Sequence, residues 1–316
     1  KAGHRFMNKR LIIFIGIAII AIIIILTMDG ERGWRGEGTP LYTIAEGTIH
    51  GSVYVAGGHG YTQENPYEEH FNIPDAKIKF ARLYVPVWNY NKGDTLDVRL
   101  NNESLGVRER PDYVAAFGTA QYAYNVSQKI KKSEVNVSVS YKNPNGGPYG
   151  VVLVVVYEQQ DRFTRFWITE GNYALAYTTK KDEMAVSFGD APENAMNAAL
   201  WTVQVAGTPR EDDMLYFNSR FLGKDVAKGK NGSYFDIDEF NITKDVTAEN
   251  IVRFERGGEA YLHPLNAILA VEYDGQGKDN IIIHEQSLSG KSEIPLPVIA
   301  VILITAAVVL WARRKH

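Results

Sequence analysis

The chain has 316 residues, with 34 Lys or Arg, 37 Asp or Glu and no cysteine. Without cysteine, disulfides, thiolate metal sites and thiol nucleophiles are excluded. All the acidic residues lie between two terminal apolar runs, and that middle part holds only 27 of the basic residues, so its net charge is −10. A net-negative body without a basic stripe argues against nucleic acid as a partner.

The first apolar run covers residues 11–28 and is rich in Ile. A run of this length can cross a bilayer. Lys9 and Arg10 precede it, which is typical of an N-terminal signal peptide or of a retained signal-anchor helix. No small-x-small cleavage site follows Leu26, so both alternatives stay open. Residues 29–45 are predicted to be a spacer from the membrane.

The next ~240 residues have the composition of β-strands. Short segments rich in Val, Ile, Tyr and Trp alternate with clusters of Gly, Asn, Asp and Pro. GVVLVVVYE, residues 150–158, is apolar without alternation, which predicts a strand buried on both faces. Amphipathic helices are scarce, and the pattern predicts an all-β fold of jelly-roll-like sandwiches.

Five segments recur in the same order at an offset of 115–117 residues, which indicates a duplication. The pairs are ARLYVPVW with AALWTVQV, LNNESLG with FNSRFLG, YNVS with FNIT, GVVLVVVYE with NAILAVEYD, and FWITEG with IIIHEQ. We therefore expect two tandem β-sandwich domains, residues 46–177 and 178–290. The boundary is placed in residues 178–194, where the apolar periodicity lapses.

Together these segments resemble an archaeal cell-surface family known as domain of unknown function 3344. The resemblance spans roughly residues 48–286, and it rests on ARLYVPVW, YNVSQKI, YGVVLVVVYE, AALWTV, FNITKDV and PLNAILAVEYD. It implies an archaeal envelope protein with β-domains. It brings no catalytic residues, because the shared motifs are strand and turn signatures.

The second apolar run, residues 294–312, is followed by Arg313, Arg314 and Lys315. The run predicts a C-terminal transmembrane helix, and the basic residues at both ends place the termini in the cytoplasm and the body outside. The tail is also similar in layout to archaeal sorting tails that carry Pro-Glu-Phe, although here Ile-Pro-Leu-Pro, residues 294–297, stands in that place. A plain anchor is the favoured interpretation.

Five Asn-x-Ser/Thr acceptors support an exterior location. They are Asn102, Asn125, Asn136, Asn231 and Asn241. Asn125 and Asn241 hold the same place in the two copies. There, Ser127 and Thr243 could instead cap a short helical turn by accepting a backbone N–H. We expect the hydroxyl to serve the fold, with glycan attachment at these two positions incidental.

Metal binding is considered at two kinds of loop, and no cofactor is assigned. One set mixes imidazole and carboxylate, as zinc sites do: His50, His59, Glu68, Glu69 and His70. The other supplies oxygen atoms, as calcium sites do: Asp94, Asp97, Asn101 and Asn102, or Asp236, Asp238 and Glu239. Neither spacing matches a known ligand pattern, so turn chemistry is the favoured interpretation and calcium is the metal left open.

No nucleophile elbow, metalloprotease or phosphate-loop motif occurs. Glu170 and Glu285 recur at matching places and could form a glycosidase pair, but a repeated structural role is favoured. Trp88, Tyr90 and Tyr113 could make an aromatic platform for sugar, but Trp88 stands at a predicted strand end, where a role as a core lid is favoured.

The sequence thus predicts a membrane-anchored archaeal cell-surface protein with a structural or adhesive role and no catalysis. The alternatives are a carbohydrate-binding module for surface glycans and an enzyme acting on polysaccharide. The expected partners are the membrane and other envelope proteins or glycans.

Overall fold

The computed structural model describes residues 36–192, 194–275 and 278–284, and these residues form nineteen β-strands and no α-helix. The strands of the first copy are β1 (Gly38–Gly57), β2 (Tyr67–Asn72), β3 (Ile78–Trp88), β4 (Leu96–Leu100), β5 (Glu103–Arg108), β6 (Tyr113–Val114), β7 (Ala120–Asn125), β8 (Glu134–Tyr141), β9 (Gly147–Pro148) and β10 (Val152–Tyr173). A 3₁₀ turn, Ala116–Gly118, separates β6 from β7.

The remaining strands belong mainly to the second copy. They are β11 (Leu175–Ala176), β12 (Glu183–Phe188), β13 (Ala195–Val205), β14 (Met214–Phe217), β15 (Arg220–Lys224), β16 (Phe235–Asn241), β17 (Asn250–Glu255), β18 (Tyr261–Tyr273) and β19 (Asn280–Ile283). The all-β prediction is therefore confirmed for the described residues.

The order of the strands in the sheets confirms the duplication. Two four-stranded outer sheets have the orders β2-β8-β4-β5 and β12-β17-β14-β15, which are the same order in the two copies. Each packs against one half of an eleven-stranded sheet whose main path is β16-β13-β18-β10-β3-β7-β6. Strand β3 ends at Trp88 and β13 ends at Val205, 117 residues later, as the repeat offset predicts.

Strand β10 is buried on both faces in its first half, as its unbroken apolar run predicts. Val151, Leu153 and Val155 lie in the core of the first sandwich. Val152, Val154 and Val156 lie in a different core, which also contains Ile268 and Ala270 of β18. This second set of contacts joins the two sandwiches through buried apolar side chains.

Strands β1 and β10 pass through both sandwiches. The end of β1, residues 51–57, pairs with residues 152–158, which pair on their other side with β3. The beginning of β1, residues 38–50, pairs with residues 163–173, and β18 pairs with part of that same stretch. The two domains are thus not separate units in sequence, because one continuous sheet holds strands of both.

The fold class is corrected in one respect: the flanking transmembrane segments are not part of it. No helix in the described part of the chain is long and apolar enough to cross a membrane, because that part is paired into sheets. The apolar runs at 11–28 and 294–312 lie outside the described residues.

Two local predictions also differ from the structure. Residues 38–45 of the predicted spacer belong to β1, because Leu41 and Ile44 are buried in the sandwich cores. Within the predicted boundary segment, residues 183–188 form β12. Met184, Val186 and Phe188 are buried there at every second position. The charged residues before them obscure this period of two in the sequence.

Candidate functional site

A buried charge network lies where the two sandwiches meet. Glu170 of β10 is 1% exposed, and the Arg82 guanidinium of β3 donates to both of its carboxylate oxygens, at 2.9 and 2.6 Å. Burial lowers the pKa of Arg82, but the hydrogen bonds and charge of Glu170 outweigh burial and hold that pKa above its ordinary value. The bidentate pair thus links β3 to the second half of β10, beyond the residues of β10 that pair with β3.

Two tyrosines complete the network. Tyr113 Oη donates to Glu170 Oε1 at 2.7 Å, and Tyr42 Oη lies 2.5 Å from Tyr113 Oη. Burial first, and then the Glu170 charge, raise the pKa of Tyr113 far above its ordinary value, so this hydroxyl stays a donor. Glu170 therefore accepts three hydrogen bonds from two side chains, Arg82 and Tyr113, in a structural arrangement. Glu285, its proposed partner, lies outside the described residues.

The aromatic platform considered as an alternative at Trp88, Tyr90 and Tyr113 is not formed. Tyr113 is 1% exposed and belongs to the network around Glu170, whereas Trp88 is 38% exposed at the end of β3. Tyr90 is half-buried and packs against the core of the first sandwich. The burial of Tyr113 is not evident from the sequence, because this residue follows a turn-like Arg-Pro-Asp segment and no local pattern shows that its hydroxyl meets Glu170.

The repeated Asn-x-Ser/Thr motif has a structural use in both copies. Ser127 Oγ accepts from Ala81 N–H at 2.8 Å, and Thr243 Oγ1 accepts from Ala198 N–H, also at 2.8 Å. The hydroxyls thus bind β3 and β13 just beyond the ends of β7 and β16, and they do not cap the turn that follows, which corrects the mechanism predicted from the sequence.

The asparagines of these two motifs also make local bonds. Asn125 Oδ1 accepts from Ser127 N–H at 3.1 Å, and Asn241 Oδ1 accepts from Thr243 N–H at 3.2 Å. Both asparagines are exposed, as are Asn102 and Asn136, while Asn231 is half-buried. Exposure leaves glycosylation at these positions a prediction.

The histidine and glutamate residues proposed for a metal do not converge. His59 Nδ1 lies 2.8 Å from Glu69 Oε2, and its ring stacks on Tyr67 at 4.4 Å. His70 Nδ1 lies 2.6 Å from Asn136 Oδ1. His50 Nδ1 lies 3.1 Å from Asp279 Oδ1, and Glu68 is exposed. These side chains are divided among separate neighbours.

The oxygen-rich loops proposed for calcium are occupied by protein donors. Asp94 Oδ2 accepts from Asn91 N–H, Tyr141 Oη and Asn143 Nδ2 at 2.7–2.8 Å. Asp236 accepts the N–H groups of residues 229 and 230, and Lys230 Nζ lies 3.0 Å from Asp238 Oδ1. Within the described residues, no group of three His, Cys, Asp or Glu side chains could hold a metal ion.

Asp97, Asn101, Asn102 and Glu239 were also proposed for calcium. Asp97 Oδ1 accepts from Ser104 Oγ, and Asn101 Oδ1 accepts from Asn136 N–H. Asn102 and Glu239 are exposed. The Asp97 bond lies within the β4–β5 hairpin, and Asn101, in the turn of that hairpin, binds the neighbouring strand β8. Both are the turn chemistry favoured from the sequence.

A buried acidic cluster at one end of the second sandwich was missed from the sequence. Glu259 is fully buried, and burial above all raises its pKa to about 9, with Glu211 adding to the rise. Its Oε1 accepts from Thr208 N–H at 2.7 Å, while its Oε2 has no partner. Burial also raises the pKa of Asp213 to about 6. The raised pKa values predict that the stability of the second sandwich depends on pH.

The end of the first sandwich instead carries an open cleft of about 280 Å³. Residues 61–65 form one wall, and Tyr141, Asn143 and Pro144 with residues 146–148 form the other. The ring of Tyr61 lies 5.9 Å from that of Trp88 at an angle of 72°. This combination of aromatic rings, amide side chains and glycines can bind a small polar ligand.

The chain matches the family described as "Protein of unknown function (DUF3344)" over residues 33–272, and it therefore belongs to that family. No curated protein matches it.

The solved structures that match this chain are distant from it. Peptide:N-glycanase F has 11% identity and a TM-score of 0.26, over 77% of this chain and 99% of its own. BuGH86 in complex with neoagarooctaose has 7% identity and a TM-score of 0.25, over 76% of this chain and 35% of its own. The protein PA5104 of unknown function from Pseudomonas aeruginosa PAO1 has 9% identity and a TM-score of 0.23, over 74% and 99%. Similarity at this level assigns no function.

Proposed function

We propose that this member of the DUF3344 family is a non-catalytic structural or adhesive protein of an archaeal cell envelope, with its β-body outside the cell. The observation that carries this proposal is the continuous sheet in which β1 and β10 join both sandwiches. Such a sheet, with a buried apolar core between the two halves, gives a body that transmits load as one piece. Other envelope proteins or glycans are its proposed partners.

Two further features support a structural role. Glu170, the acid that recurs in the repeat, is bound by Arg82 and Tyr113 and is 1% exposed. A carboxylate bound in this way serves to position the strands. The exposed acceptors, such as Asn125 and Asn241, and the net-negative middle of the chain suit an exterior surface.

The location is tested by labelling intact cells of the source organism with a membrane-impermeant amine reagent. Lys77 and Lys224, with side chains 69% and 55% exposed, should react without lysis, while a cytoplasmic control protein should stay unlabelled. Labelling that requires lysis would contradict the exterior placement.

The role is tested by deleting the gene and measuring cell aggregation and resistance to osmotic shock. We expect both to fall and to be restored by the wild-type chain. The Glu170→Gln variant, checked for folding by circular dichroism, should restore them equally. Failure of a folded Glu170→Gln chain to restore them would favour an enzyme that uses this acid.

A further inference from the structure

The cleft at the end of the first sandwich lies where loops of both copies meet. Tyr61 N–H donates to Ser233 O of the second copy at 3.0 Å, so a backbone bond to the other sandwich fixes one wall. Its ring also approaches buried Tyr149, with ring centroids 6.5 Å apart. Tyr61 is thus held in place before any ligand arrives, which lowers the entropy cost of binding.

Side-chain bonds tie this wall to the opposite one and hold the opposite wall in place. Asn65 Nδ2 donates to Tyr141 O at 2.9 Å, and Asn65 Oδ1 accepts from Tyr141 N–H at 3.2 Å, so the loop is pinned to the end of β8. Asn143 Nδ2 donates to Asn89 O and to Asp94 Oδ2 at 2.7 and 2.8 Å. The cleft is therefore preformed.

Trp88 lies beside the cleft, and the packing of the sandwich does not explain why an exposed tryptophan is found there. It pairs with Gly147 of the lining, and it is 38% exposed. At the equivalent strand end of the second copy, Val205 is fully buried. Because the same sandwich is built there without an exposed indole, packing alone does not account for Trp88.

The chemistry of the lining selects the class of ligand. Glu64 is the only charged residue that lines the cleft within the described part of the chain, and its side chain is 66% exposed. Without a lining cation, an anionic ligand has no counter-charge. Amide side chains and an aromatic face together suit a ligand with many hydroxyl groups and an apolar ring face.

The shape narrows the choice further. The rings of Tyr61 and Trp88 stand at 72°, so they offer one ring face and one edge. A proline-rich peptide needs an aromatic-lined groove along its extended helix. A volume of about 280 Å³ is just under the roughly 300–1,000 Å³ of drug-sized ligand sites, which suits one ring of a longer chain.

We propose that this cleft, lined by Tyr61 and the loop of residues 143–148 and flanked by Trp88, binds a single sugar ring of a neutral glycan. This proposal rests on the adhesive role proposed above and names the ligand for that role. It is tested on purified protein, so its failure would leave the tests of location and of cell adhesion standing.

The experiment is a screen of the purified full-length chain on an array of neutral oligosaccharides, followed by isothermal titration with the best hexasaccharide. We expect saturable binding. Trp88→Ala and Tyr61→Ala should each weaken it by at least about tenfold, which is about 1.4 kcal/mol. Phe221→Ala, which removes an aromatic side chain 51% exposed on the second sandwich, should leave it unchanged.

A fourth variant fills the cleft with minimal disturbance of the fold. A Cβ at Gly147 would meet the Tyr61 ring at 3.5 Å and nothing closer, so Gly147→Ala should fold normally and still weaken binding several-fold. Absence of binding across the array would overturn the proposal. So would binding unaffected by the three cleft variants, Trp88→Ala, Tyr61→Ala and Gly147→Ala, or tighter binding of a proline-rich decapeptide that is lost in Trp88→Ala.

Discussion

The hydroxyls of Ser127 and Thr243 should stabilise the two sandwiches by the same bond. Each accepts a backbone N–H at 2.8 Å, from Ala81 and Ala198 respectively, and both alanines are buried. Removal of the hydroxyl leaves a buried N–H without an acceptor, which costs about 1–3 kcal/mol. For a body of this size the midpoint of thermal unfolding should fall by roughly 2–10 °C.

The variants are Ser127→Ala and Thr243→Val, made in a bacterial host so that no glycan contributes, and followed by thermal and urea unfolding. Because the sites lie in different sandwiches, the two losses should add. Ser140→Ala and Ser187→Ala are the controls, since both serines are exposed on outer strands and such changes stay within about 0.5 kcal/mol. If the test variants match these controls, the hydroxyls do not hold the strand ends.

Three further predictions concern buried ionisable groups. The pKa of Glu259 is raised to about 9, so its contribution to stability is complete below pH 4.5 and is lost as pH rises through 9. The free energy of unfolding of Glu259→Gln, measured with urea, should therefore rise relative to that of the wild type by about 1.4 kcal/mol per pH unit across that window. A difference between the two that does not change with pH would contradict this prediction. Full burial lowers the pKa of His263 to about 3, so stability present above pH 6.5 is lost as pH falls toward 3. His263→Gln should flatten this acid limb in unfolding curves at pH 4–7, whereas an unchanged limb would assign it to other groups. Arg82→Met leaves the buried Glu170 charge unpaired and should cost about 3–5 kcal/mol. Adding Glu170→Gln should recover part of this loss, and a double variant no more stable than the single one would refute the pairing.

The sequence predicted what depends on local pattern. The repeat offset aligned β3 with β13, and the unbroken apolar run of residues 150–158 identified a strand buried on both faces. Strand β12 was missed because Lys180, Lys181 and Asp182 precede it and masked the short alternation that begins at Met184.

Pairing between distant strands could not be predicted, because a strand pattern states which face is buried and not which neighbour it bonds. The Arg82–Glu170 bond joins residues 88 apart, and no spacing in the chain announces it. For the same reason the sequence did not show that Tyr113 is buried beside Glu170, nor that Trp88, for which the sequence favours a role as a core lid, is 38% exposed. The cleft was missed because Tyr61 is brought to it by Ser233, a residue of the other copy.

The pairing of β1 with β19 has a consequence for how the chain reaches its native state. Ala45 pairs with Ile283, 238 residues later, so the sheet is not finished until nearly all of the body has been synthesised. Contacts over such separations slow folding, and each half exposes an unpaired strand edge in the meantime. The two halves are similar because of the duplication, but they share strands. Neither half can therefore be removed without disrupting the other. Removal of residues 38–50 would take from the second sandwich a strand segment that precedes the first sandwich in the sequence.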